Sequence, residues 1–177
     1  LCSNYALVIK VYSNRLWVYD REKYKEKPAA WTVYEEAQPF NPNALCIEPG
    51  SFKWSTKLTG TYTGGVYTYT NKKKKININV KVGTEERQLK LTGKVSSEAD
   101  AKAKLIAAIK NANHGATSIS FTIPGYAPGA SAQCINVVGY GKMGGKYFID
   151  QLEHVISPSG GYKTQVKASK VEKGDFA

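Results

Sequence analysis

The stretch Ile76-Asn77-Ile78-Asn79-Val80-Lys81-Val82 alternates an aliphatic side chain with a polar one. Successive side chains of a strand point to opposite faces. This period of two therefore sets Ile76, Ile78, Val80 and Val82 on one face and Asn77, Asn79 and Lys81 on the other, as in a half-buried β-strand. Upstream, residues 52–63 and 66–70 are rich in Tyr and Thr and flank Gly64-Gly65. Glycine reaches positive φ without steric penalty, so this pair predicts a hairpin turn. Downstream, Gln88–Thr92 reads as a further short strand.

One helix follows, predicted over 97–114. Ser97 caps it, and Asp100 stands three residues on, a capping-box spacing with Asp in place of Glu. Ala101, Leu105, Ala108, Ile109 and Ala112 form a stripe at helical spacing, with Lys102, Lys104 and Lys110 largely off it. Asn113-His114-Gly115 supplies the stop, Gly taking the left-handed conformation. The small apolar residues predict close packing against a sheet.

The remainder returns to strands. Residues 118–123 lead into the turn Pro124-Gly125-Tyr126-Ala127-Pro128-Gly129. Residues 134–140 form a strand ended by Gly139, Gly141, Gly144 and Gly145. Residues 147–157 are a long strand, Pro158-Ser159-Gly160-Gly161 a turn, and 162–171 the last strand. At the other end, 6–12 and 16–19 read as a hairpin around Ser13-Asn14-Arg15. One helical turn over 20–24 and a strand at Trp31-Thr32-Val33-Tyr34 come next. Gln38-Pro39-Phe40-Asn41-Pro42-Asn43 then breaks regular structure. The prediction is an α+β, mainly antiparallel β fold: a small barrel or strongly bent sheet with one flanking helix. Residues 1–48 are too few for an independent core and are read as a partial β-rich domain, with 49–177 as the barrel domain.

The 177 residues carry 25 Lys and Arg against 14 Asp and Glu, a net charge of +11. With 42% hydrophobic and 22% charged residues, wholesale disorder is excluded. The apolar runs fall short of the roughly 20 residues a membrane span needs, so no membrane partner is expected. The start has no signal-peptide pattern and no initiator Met, which leads to the expectation of a piece of a longer protein. The one dense basic cluster is Lys72-Lys73-Lys74-Lys75, with Lys81, Arg87, Lys90 and Lys94 following. Such a run is read as a solvated loop or as a contact for a polyanion. No aromatic RNP pattern accompanies it.

No reactive constellation stands out. Cys2, Cys46 and Cys134 are widely spaced, which argues against zinc and suits free thiols in a reducing cytoplasm. Cys134 reads as a small buried hydrophobe. His114 sits at the helix end, where the helix dipole favours it. His154 lies on a strand whose alternation sets Asp150, Leu152 and His154 on one face and Glu153 on the other, and structural hydrogen bonding is the expected role. The segment Gly139-Tyr140-Gly141-Lys142-Met143-Gly144-Gly145 lacks the phosphate-loop pattern and connects two strands. Neither catalytic residues nor a metal or cofactor site are assigned. The chain reads as a structural or interaction module.

Motif order adds a resemblance. The strand Gln88–Thr92 precedes a helix led by Ser97-Glu98-Ala99-Asp100-Ala101. Ser118-Ile119-Ser120-Phe121-Thr122-Ile123-Pro124-Gly125 follows, then Val137-Val138-Gly139-Tyr140-Gly141 with Gly145-Lys146-Tyr147-Phe148-Ile149. His154-Val155-Ile156-Ser157 with Gly160-Gly161-Tyr162-Lys163-Thr164 closes the series. In this order the chain resembles the phage late-control-D and baseplate-hub family, especially its branch in prophages of Gram-positive bacteria. The amino-terminal Leu7–Tyr12, residues 15–19 and Asp20-Arg21-Glu22-Lys23-Tyr24-Lys25 resemble that branch too.

The resemblance implies a tail-tube-like β-barrel with a flanking helix and a non-enzymatic baseplate hub joining tail tube to spike. The particle would be a phage, a prophage or a contractile phage-like injector, assembled in the bacterial cytoplasm. The implied partners are copies of the chain in a trimeric ring, other tail proteins, and DNA passing through a lumen. Lys72, Lys73, Lys74, Lys75 and Lys81 would face that lumen or a partner. On the residues alone two other classes stay open: a peptidoglycan hydrolase component and a small basic nucleic-acid-binding barrel. Hydrolysis lost in His154→Ala would mark the first, and oligonucleotide binding that falls steeply with salt the second.

Overall fold

The computed structural model describes residues 2–12, 14–71 and 76–171. These fall into two compact units, one of residues 2–21 and 57–114, the other of residues 22–56 and 115–171. The fold is α+β and mainly β. The boundary expected at 48–50 falls inside the second unit. The reason is pairing: β3 (Trp31–Tyr34) runs parallel to β10 (Cys134–Val138), so the early strand belongs to a sheet completed a hundred residues later.

In the first unit, β1 (Leu7–Tyr12) and β2 (Arg15–Asp20) form an antiparallel hairpin whose turn residue Asn14 has φ 57°. A separate three-stranded sheet has the order β7-β6-β8, formed by β6 (Gly64–Asn71), β7 (Ile76–Gly83) and β8 (Gln88–Thr92). The strand β6 pairs antiparallel with β7 and parallel with β8. The alternation read from the sequence is present, and Ile78 and Val82 are buried.

The glycine pair is a correction: Gly64 and Gly65 are strand residues, not a turn. A Cβ on Gly65 would stand 2.8 Å from Leu105 Cδ1 and 3.2 Å from Ile109 Cδ1. The missing side chain is what lets the helix α2 (Glu98–Asn113) settle on the sheet. Its buried Ala101, Leu105 and Ile109 share a core with Tyr67, Ile78, Val82 and Val95. Ala108 and Ala112 are only partly buried, whereas Ala107, outside the expected stripe, is buried.

The helix is capped as its sequence predicts. Asp100 N–H donates to Ser97 Oγ at 3.1 Å, and the His114 N–H donates to Lys110 O before Gly115 turns the chain with φ 75°. The Asp100 carboxylate accepts from Ser96 N–H at 3.2 Å and pairs with Lys104 Nζ at 3.1 Å. These contacts, the backbone bond foremost, hold its pKa below the ordinary carboxylate value.

The second unit opens with the rest of the short helix α1 (Arg21–Glu26) and is built on a seven-stranded sheet of order β4-β3-β10-β11-β12-β9-β5. The remaining strands are β4 (Leu45–Cys46), β5 (Lys53–Thr56), β9 (Thr117–Pro124), β11 (Gly145–Ser157) and β12 (Gly161–Lys170). Hairpin order alone does not describe this sheet, because β3 pairs in parallel with both β10 and β4. One face carries the core, with Val33, Ile123, Ile135, Tyr147, Ile149 and Val166 all buried.

The sheet is curled. Four strand spacings separate β3 from β9, roughly 19 Å in a flat sheet. Yet the rings of Trp31 on β3 and Tyr126 just beyond β9 have centroids 5.1 Å apart. One bent segment bridges the two ends. After β4, Ile47 N–H donates to Tyr34 O at 2.9 Å and Glu48 N–H to Thr122 O at 2.8 Å, and the chain then continues into β5 alongside β9. The result is a half-barrel sheet wrapped around its own core.

Candidate interaction surfaces

Lys72, Lys73, Lys74 and Lys75 lie outside the described residues. Lys81 sits on β7 opposite Val66, on the face away from α2, with its Nζ 3.3 Å from Glu85 Oε1. Both members of this pair are exposed, so it contributes little to stability and leaves the charge accessible.

The reactive types are built into the fold. His154 Nε2 is 3.2 Å from Gly129 O, and its Nδ1 is 2.9 Å from the Tyr162 hydroxyl. The ring thus ties the 125–130 loop to the β11–β12 hairpin. Asp150 does not share its face. A bulge between Ile149 and Gln151 takes Asp150 out of the alternation, and its carboxylate accepts a hydrogen bond from Ser169 on the opposite face. That is a correction to simple alternation, and the extra residue of the bulge is its cause.

Cys134 is buried, with Sγ 3.3 Å from Tyr24 O, and burial pushes its thiol pKa up. Thiol-reactive dye is therefore expected to modify Cys134 only as the second unit opens. The rates of all three thiols in native buffer and in denaturant check this, and fast native labelling at Cys134 would contradict its burial. Among the described residues, no group of three or more His, Cys, Asp and Glu is placed to hold a metal ion. No helix among them is long and apolar enough to cross a membrane.

The surfaces themselves are more distinctive. On the β1–β2 hairpin, Ile9 stands opposite Val18 and Val11 opposite Leu16, all on one face. Each is at least half exposed, Val11 at 73%. The hairpin base is held by Tyr5 OH to Asp100 Oδ1 at 3.2 Å and by Arg21 Nη2 to Asn111 Oδ1 at 2.9 Å. A two-stranded ribbon is marginal in water on its own, and an aliphatic face of this kind suits contact with another chain. A second feature is Phe40, an exposed aromatic residue within the segment that breaks regular structure. The signal that marks it is the spacing of Pro39 and Pro42 around an aromatic residue.

The fold, a curled, mainly antiparallel sheet in one unit and a smaller helix-backed sheet in the other, is one found in phage tail proteins. The tail protein from Neisseria meningitidis MC58 matches over 99% of this chain and 53% of its own, with TM-score 0.66 and 12% identity. The 43 kDa tail protein of prophage MuSo2 from Shewanella oneidensis matches over 92% and 50%, with TM-score 0.68 and 9% identity. A prophage tail protein from Listeria monocytogenes EGD-e matches over 97% and 50%, with TM-score 0.51 and 9% identity. At such identities the likeness is one of fold, and the chain spans about half the length of these structures. No family model matches the sequence, and no curated protein matches it.

Proposed function

We propose that this chain is a structural, non-enzymatic part of the tail of a phage, a prophage or a phage-like injection particle. Within it the chain acts as a baseplate hub, joining tail tube to spike through contacts with other tail proteins and with copies of itself. The observation that carries this reading is the curled sheet with its helix-backed companion, a fold that phage tail proteins share over nearly the whole chain. The motif order of the late-control-D and baseplate-hub family supports the finer assignment. Exposed aliphatic side chains on the β1–β2 hairpin supply a surface suited to such contacts.

Peptide mass spectrometry of purified particles from the element that encodes the chain tests the reading. The chain is expected in the tail fraction at a stoichiometry of a few copies per particle. Its absence from intact tails would contradict the proposal. In the same account Lys72, Lys73, Lys74, Lys75 and Lys81 face a partner or DNA in the lumen. Replacing all five with Ser is expected to impair assembly or DNA passage, and unchanged particles would remove that role.

A further inference from the structure

In the first unit β8 is an outermost strand of the three-stranded sheet. Gly64 N–H donates to Arg87 O at 3.3 Å, and Gly64 stands opposite Gln88. Successive residues of a strand direct their backbone groups to opposite sides, so Arg87, Leu89 and Leu91 serve β6. The N–H and C=O groups of Lys90 and Thr92 therefore point away from β6, along an open edge. Both residues are exposed. Such an edge is a template for one more strand.

A cavity of about 530 Å³ adjoins this edge on the face where α2 packs. Leu91 and Ala108 give it an apolar wall, and Lys94 and Lys104 also line it. Tyr67, opposite Leu91 on β6, reaches it from below. That residue is only 6% exposed, yet its hydroxyl has no hydrogen-bond partner among the described residues. A Cβ on Gly93 would stand 3.1 Å from the hydroxyl, so the glycine keeps the space before it clear. An acceptor placed in the cavity would satisfy this donor. The cavity is also positive. No Asp or Glu lines it, and the exposed Lys94 has no ion pair among the described residues. Asp100 engages Lys104 at 3.1 Å without lining the cavity, and the ammonium keeps further protons to donate.

We infer that β8 takes an extended, acid-bearing segment of another tail protein as an added strand. Backbone pairing to Lys90 and Thr92 holds the guest, and the cavity selects its side chains. Alternate side chains of the guest fall on the α2 side. An Asp or Glu there accepts from the Tyr67 hydroxyl and meets the Lys94 and Lys104 ammonium groups. Side chains on the other face meet Lys90. Open edge and unsatisfied cavity lie along the same strand, which is why a peptide fits better than a free anion. The inference names a kind of partner for the tail reading above and rests on that reading for its context.

Fluorescence anisotropy of a labelled, end-capped peptide titrated with the full chain provides the test. The peptide alternates Glu with Val over about six residues, the usual strand length. It is expected to bind, and a counterpart alternating Lys with Val is not. Two further peptides carry methyl groups on the backbone nitrogens of either every Glu or every Val. One of the two is expected to bind at least about tenfold more weakly, because a strand bonds its neighbour through alternate residues. Tyr67→Phe, which loses no hydrogen bond of the folded chain, is expected to weaken binding about fivefold. Lys94→Glu, at an exposed position, is expected to weaken it at least about tenfold. Methylation and Tyr67→Phe alter no charge, so general attraction of an acidic peptide to a chain of net charge +11 moves neither result. A Glu peptide that binds no better than its Lys counterpart would overturn the inference. Binding that ignores either the methylation or both substitutions would overturn it too. The tail reading would stand in each case, since the particle composition decides it.

Discussion

Gly64→Ala is expected to destabilise the unit built on the three-stranded sheet by at least about 3 kcal/mol, the upper end of the usual overpacking cost. The added Cβ would lie 2.2 Å from Thr84 O, 2.6 Å from Val82 O and 2.7 Å from Thr84 N. All three are backbone atoms, so no side chain can swing aside. Hydrogen bonds also pin that backbone: Thr84 N–H donates to Thr63 O at 3.0 Å and Thr63 N–H to Arg87 O at 2.9 Å. Gly64 is not among the glycines with positive φ, so the effect is one of space and not of conformation. Gly65→Ala is expected to act in the same direction, because its Cβ would meet Leu89 O at 2.8 Å as well as the Leu105 side chain. Amide hydrogen exchange along β6, β7, β8 and α2 checks both. Wild-type protection in Gly64→Ala would show that the strands do not approach as described.

Tyr147→Ala is the second large effect, expected at about 3–5 kcal/mol in the second unit, the range for truncating a buried aromatic. Tyr147 is 0% exposed, at the centre of the curled sheet's core. Its hydroxyl donates to Met143 O at 2.7 Å. Tyr147→Phe keeps the packing and loses only that bond, so about 1 kcal/mol is expected. Burial also raises the phenol's pKa above its ordinary value of 10.0. The folded state thus holds this proton more tightly than the unfolded chain. The resulting stability is fully present below pH 10 and is lost as pH rises from there through the raised folded value. Urea unfolding at neutral and alkaline pH separates the contributions. Tyr147→Phe is expected to flatten the alkaline decline, and an unchanged slope would assign that decline to other groups.

What the sequence discloses about this fold follows how local each signal is. The alternation over 76–82, the Ser97 cap and the stop at Gly115 depend on neighbours within a few residues, and all three are present in the structure. Partner choice is not local. Nothing within Trp31–Tyr34 announces a parallel neighbour at Cys134–Val138, and nothing in Gly64-Gly65 distinguishes a turn from a strand that a helix must approach closely. The bulge that separates Asp150 from His154 depends on register with β12, which no period of two can report. The surfaces were legible only in part. Lysine runs are conspicuous in a sequence, whereas Phe40 acquires meaning only once two turns hold it outside the core.

The most direct test is to delete the coding sequence from the element that carries it and to view the released particles by electron microscopy. The account predicts tails that lack a completed baseplate, with normal tails restored when the chain is supplied in trans. Full-length, functional tails in the deletion strain would contradict it.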